Sequence, residues 1–137
     1  MNAPLAPPLR FFIDESMMSI GKALRAVRTD VLFPGHPGCP NIQPGAKDVD
    51  WLPIVGQSGW IVIMRDKRIR RRPVELQRLI DNGVRAFCLT GAGNQSSWQM
   101  LQLIVRSWDR IETAAANPGP FILAVTSTGV SSQSLAP

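Results

Sequence analysis

Apolar residues fall along the chain in two alternating textures. Short unbroken runs, "LRFFID" from residue 9, "DVLFP" from 30, "WIVIM" from 60, "VRAFCLTG" from 84 and "GPFILAVT" from 119, have the length and density of strands buried on both faces. Between them the period lengthens to that of an amphipathic helix. In "ESMMSIGKALRAVR" the residues Met17, Ile20, Leu24 and Val27 recur at helical spacing, in "PVELQRLIDNG" Leu76, Leu79 and Ile80 share a face, and in "SSWQMLQLIVRSWDRI" Leu101, Ile104, Val105 and Trp108 do. Punctuation agrees with the periods: Pro73 opens one helix and Gly83 stops it, and Ser96 with Gln99 forms a capping-box pattern ahead of another.

Residues 34–45, "PGHPGCPNIQPG", hold four prolines and three glycines, which leaves a surface loop as the only choice. The stretch after it, "KDVDWLPIVGQSG", predicts a short helix with an acidic start. Pro53 falls in its first turn if Asp50, not Asp48, is the cap.

Strand and helix alternate throughout, so the fold class is α/β with a mainly parallel sheet of about five strands covered on both faces. The chain has 137 residues, 45% of them hydrophobic, enough for one core. We expect a single domain over 10–126, with 1–9 and 127–137 as flexible tails. The absence of a signal-like start and of any apolar run near membrane-span length predicts a cytoplasmic protein. Cys39 and Cys88 have no metal-site or disulfide spacing, and Cys88 in its apolar run reads as a reduced buried thiol.

Charge changes the picture at one place. Arg65, Lys67, Arg68, Arg70, Arg71 and Arg72 surround Asp66, and this segment carries the whole net charge of +5. A local basic stripe is a contact for a polyanion such as nucleic acid. In a parallel sheet, ligands bind beyond the carboxyl ends of the strands. Acids fall there: Asp14 and Glu15 end the first apolar run, Asp66 follows the third, and Asp48 and Asp50 open a helix between them. Carboxylates brought that close need a counter-cation, and Mg²⁺ or Mn²⁺ is the hard ion that takes oxygen ligands. Beside a basic stripe, such an ion suits phosphodiester hydrolysis. Read singly, each acid is as well explained as a helix cap or a first-turn acid, Glu15 above all. His36 and Cys39 lack a second ligand pair, and the four tryptophans read as core or half-buried residues. "TGAGN" is no P-loop, although Thr90 and Asn94 stand where they can support a site.

Together "FFIDES", "DVDWL" after a Gly/Pro loop, "GWIVIMRDKRI" with "RRRPVEL", and "VRAFCLTGAGN" resemble the PIN-like nuclease domains, and among them the VapC-like toxins of bacterial toxin–antitoxin systems. The resemblance spans about residues 10–126. It implies a three-layer α/β/α sandwich, an acidic cluster that binds Mg²⁺ or Mn²⁺ and cleaves RNA, and an antitoxin protein that blocks the site; homodimers are common in the group. Carried over by position, Asp14, Asp48 and Asp66 match the catalytic acids and Glu15 the acidic neighbour, with Asp50 as the alternative to Asp48. One departure stands out: the group's second acid beyond Asp66 is replaced here by Arg68. Two other readings compete, a catalytically inactive PIN-like module that binds RNA or protein, and a phosphoacceptor receiver domain, which lacks its lysine after "FILAVTSTG".

Overall fold

A computed structural model of the chain describes residues 10–65, 69–90 and 95–135, with the side chain of Arg70 excepted. The apolar runs become strands: β1 (Phe11–Ile13), β2 (Val31–Leu32), β3 (Ile61–Arg65), β4 (Arg85–Leu89), β5 (Phe121–Thr126) and β6 (Gly129–Gln133). They form one sheet in the order β2-β1-β3-β4-β5-β6. The first five run parallel, with Ile13 opposite Ile63 and Ile63 opposite Phe87, and β6 turns back antiparallel on β5.

The pleat sorts these runs between two helical layers. Phe11, Ile13, Ile61, Ile63, Phe87 and Leu89 face α1 (Met18–Arg25) and α4 (Ser97–Ala115). Phe12, Val62, Met64, Ala86 and Cys88 face α2 (Asp48–Ser58) and α3 (Pro73–Asp81). The central residues of β1, β3 and β4 are therefore apolar because each points into one core or the other, which is the physical content of an unalternated run. The result is the three-layer α/β/α sandwich. Among the described residues no helix is long and apolar enough to cross a membrane.

Four expectations need correction. Residues after Thr126 are not a loose tail: a tight turn at Ser127 and Thr128 returns the chain as β6, where Val130 packs on the core. The first helix stops at Arg25, so Val27 lies beyond it and is 82% exposed instead of extending the apolar stripe. The buried face of α4 is Met100, Leu103, Ile104, Ser107, Ile111 and Ala115, rotated from the predicted stripe, and Val105 points to solvent. Finally, Lys47 rather than either acid is the cap of α2, and Pro53 is tolerated as its sixth residue.

The 34–45 segment is a loop, as its composition requires, but a packed one. Ile42 and Cys39 are buried in the α2/α3 layer, and the Cys39 thiol donates to the Phe33 carbonyl at 3.2 Å. Burial pushes that thiol's pKa up, so Cys39 is an inert core residue.

Candidate active site

The sheet order reverses direction of growth at β1. From β1 the chain steps outward to β2, then crosses back through α2 to β3 on the other side. A crevice at the carboxyl ends of β1 and β3 is the consequence of that switch. Asp14 is the residue after β1, and its N–H donates to the Ile63 carbonyl at 3.0 Å, which fixes it beside β3. The carboxylate is 2% exposed. Its Oδ2 accepts from the Ser16 N–H at 3.1 Å and from the Ser16 hydroxyl, capping the 3-10 turn Glu15–Met17. Asp14 is thus a cap and a buried acid at the switch point together.

Glu15 reaches across the crevice. Its Oε1 and Oε2 accept from the Gly45 N–H at 3.1 and 2.9 Å. Gly45 has φ +88°, a left-handed conformation that glycine adopts without strain, and this turn brings the loop back to begin α2 three residues later. The tie holds the start of α2 beside the end of β1. There Asp48 is half-buried as the first residue of α2, and its Oδ1 accepts from the Trp51 indole N–H at 3.0 Å. Asp48 lines an open cleft of about 490 Å³ with Lys47, Val49, Arg72 and Glu75. Asp50, two residues on, is exposed and lines none of it.

The cationic residues divide. Arg65 ends β3 half-buried, with its carbonyl accepting from the Cys88 thiol at 3.4 Å. Arg71 and Arg72 are exposed on the turn before α3, and Arg72 Nη1 lies 3.5 Å from Glu75 Oε2, a buried atom with no hydrogen bond among the described residues. Thr90 sits half-buried after β4, its N–H donating to Val125 at 3.4 Å. Asp66, Lys67, Arg68 and Asn94 lie outside the described residues, as does the side chain of Arg70.

The structure therefore links Asp14, Glu15 and, through Gly45, Asp48 at one end of the sheet. Among the described residues no three His, Cys, Asp or Glu side chains are grouped closely enough to hold a metal ion. The donor chemistry is all oxygen and suits a hard divalent cation, but Asp14 and Asp48 need a further acid to complete a shell. His36 makes no such contribution, because Gly38 N–H and Arg25 Nε–H approach its two ring nitrogens at 2.8 and 3.1 Å.

Sequence reasoning missed Lys47, the neighbour of Asp48 in the chain, and Glu75, which joins Asp48 only through the approach of α2 to α3. It also misplaced Trp98, which is 66% exposed. The available signal was Trp98's position next to the Ser96 cap, off the buried stripe of its helix.

A family model described as "PIN like domain" matches residues 9–91. That span contains Asp14, Asp48 and Asp66 and ends before α4. Over 78 residues the chain is 36% identical to a Mycobacterium tuberculosis protein named "Putative ribonuclease VapC45". The alignment covers 57% of this chain and 56% of that relative, so the chain matches little more than half of the relative's length. No solved structure matches the chain.

Proposed function

The chain belongs to the PIN-like domain family, and from that premise we propose that it is a divalent-metal-dependent endoribonuclease, the toxin of a toxin–antitoxin pair. One observation carries the proposal: a carboxylate only 2% exposed, Asp14, is placed at the topological switch point of a parallel sheet. The relative's name supports RNA as the substrate.

In this reading Asp14, Asp48 and Asp66 hold the ion, with Asp48 preferred to Asp50 because it lines the cleft. Bound Mg²⁺ or Mn²⁺ would make water a stronger nucleophile and offset charge on the phosphate. The chain's own residues do the rest. Asp14 is fixed in direction by its bonds to Ser16, and Glu15 serves by anchoring Gly45 and so the start of α2. Arg71 and Arg72, with Arg65, Lys67, Arg68 and Arg70, bind the flanking phosphates. Thr90 and Asn94 are supports from the neighbouring strand end. A protein antitoxin is the partner this role requires, in the cytoplasm where RNA is met.

The test is cleavage of mixed single-stranded RNAs with Mn²⁺ or with chelator, by the wild type, Asp14→Asn and Asp66→Ala. Metal-dependent cutting lost in both variants, with RNA binding retained by Asp66→Ala, is the expected result. Full activity of either variant overturns the assignment. The inactive binding module is the second reading, because Arg68 stands where the group carries a second acid; RNA binding without any cutting by the wild type would establish it.

A further inference from the structure

We propose that Trp98 is a stacking platform for a base of single-stranded RNA near the bond that is cut, an inference that rests on the ribonuclease reading above. Trp98 is the second residue of α4, and its side chain is 66% exposed. Of the other three tryptophans, Trp60 is half-buried against the α2/α3 layer and the remaining two are engaged. Trp51 packs on Phe12 at 5.2 Å and donates to Asp48, while Trp108 packs on Phe11 at 4.6 Å and lies under Arg28 at 4.5 Å. Trp98 makes no ring contact or hydrogen bond among the described residues.

Its position is fixed on both sides. Ser96 accepts from the Gln99 N–H at 3.1 Å and donates its own N–H to Gln99 Oε1 at 3.0 Å, so the first turn of α4 is locked by a reciprocal cap. The Ser19 hydroxyl bonds the Ser97 hydroxyl at 3.0 Å, which ties that turn to the first turn of α1. The 3-10 turn capped by Asp14 leads directly into α1. A largely exposed indole on a capped first turn thus stands at the carboxyl end of the sheet, the same end as Asp14.

The surroundings favour a base over a protein partner. Protein-docking faces are contiguous apolar patches of several hundred Å². Here the next exposed apolar residue on α4, Val105, lies two turns away, and the exposed Gln102 comes between. An isolated aromatic at the carboxyl end of the sheet, the end at which exposed Arg71 and Arg72 follow β3, supplies the stacking face and the cations that single-strand binders combine.

The test uses the full chain with a fluorescein-labelled, mixed-sequence single-stranded RNA under chelator, so that binding is read without cutting, and then cleavage kinetics with Mn²⁺. Trp98→Ala should weaken binding roughly five- to hundredfold, the range of one lost stacked base, and raise KM more than it lowers kcat. Its salt slope should equal that of the wild type, because stacking releases no counterions. Trp98→Phe should recover most of the affinity. Unchanged affinity and KM in Trp98→Ala overturn the proposal, and so does a change of sedimenting mass in place of RNA affinity, which would assign Trp98 to a protein contact. A wild type that neither binds nor cuts RNA overturns the ribonuclease reading as well, before any variant is made.

Discussion

Replacing Asp14 by asparagine and, separately, by alanine separates its two jobs. The cap rests on Oδ2, which accepts from the Ser16 N–H at 3.1 Å and from the Ser16 hydroxyl. Asparagine offers an equivalent acceptor and ranks with aspartate as a cap, so Asp14→Asn should cost under about 0.5 kcal/mol. Alanine offers none and leaves Ser16 without its acceptor, a loss of about 1–2 kcal/mol, or roughly 3–8 °C in Tm for a domain of this size. The ionic job predicts a different pattern. A divalent ion at ten times its Kd adds about 1.4 kcal/mol to the wild type by mass action, and neither variant should gain it. Thermal melts with chelator and with Mn²⁺, on all three proteins, read both effects at once. If only Ala lost stability and Mn²⁺ raised the Tm of all three proteins equally, Asp14 would be a cap only; if Asn destabilised as much as Ala, the cap argument itself would fall.

Other expectations can be checked by standard measurements. Gly56→Ala should lower the urea midpoint by the equivalent of about 1–3 kcal/mol, since a Cβ there would sit 2.4 Å from the Asn82 carbonyl oxygen and force α2 from α3. Arg28→Ala should cost about 1 kcal/mol and less at high salt: the guanidinium chelates Asp30 at 2.8 Å, reaches Glu112 at 3.3 Å and covers Trp108, but is one-third exposed. Replacing Arg71 and Arg72 together by Ala should flatten the salt dependence of RNA binding, and an unchanged slope would place the RNA elsewhere. Burial, with Arg25 and Arg10 nearby, lowers the His36 pKa from 6.5, so the unfolded chain takes up its proton first. Stability should therefore be full above pH 6.5 and fall as pH drops from there through the lower folded value, and His36→Gln should flatten that decline.

What the sequence disclosed follows from how strongly each element writes itself into residue type. Five strands were legible because both faces are buried, so "FFI" and "IVIM" carry no polar residue. β6 was not, because an edge strand with Val130 as its main core contact can be written "GVSSQ". The buried face of α4 was misjudged because Val105 is as apolar as Leu103, and only packing against β1 and β4 distinguishes them. At the candidate site, Asp14 and Asp48 announce themselves at element ends. The role of Glu15 depends on where a loop thirty residues later returns, and the place of Glu75 in the Asp48 cleft on how two helices meet, neither of which is encoded locally.

The division of labour between the layers bears on any attempt to shorten this protein. Residues 9–91 match the family, yet the lid over Phe11, Ile13, Ile63, Phe87 and Leu89 is supplied largely by Met100, Leu103, Ile104 and Ile111. A fragment cut after residue 91 would present that greasy sheet face to water, and it would clump or engage chaperones instead of standing alone. The minimal unit worth expressing runs through β6.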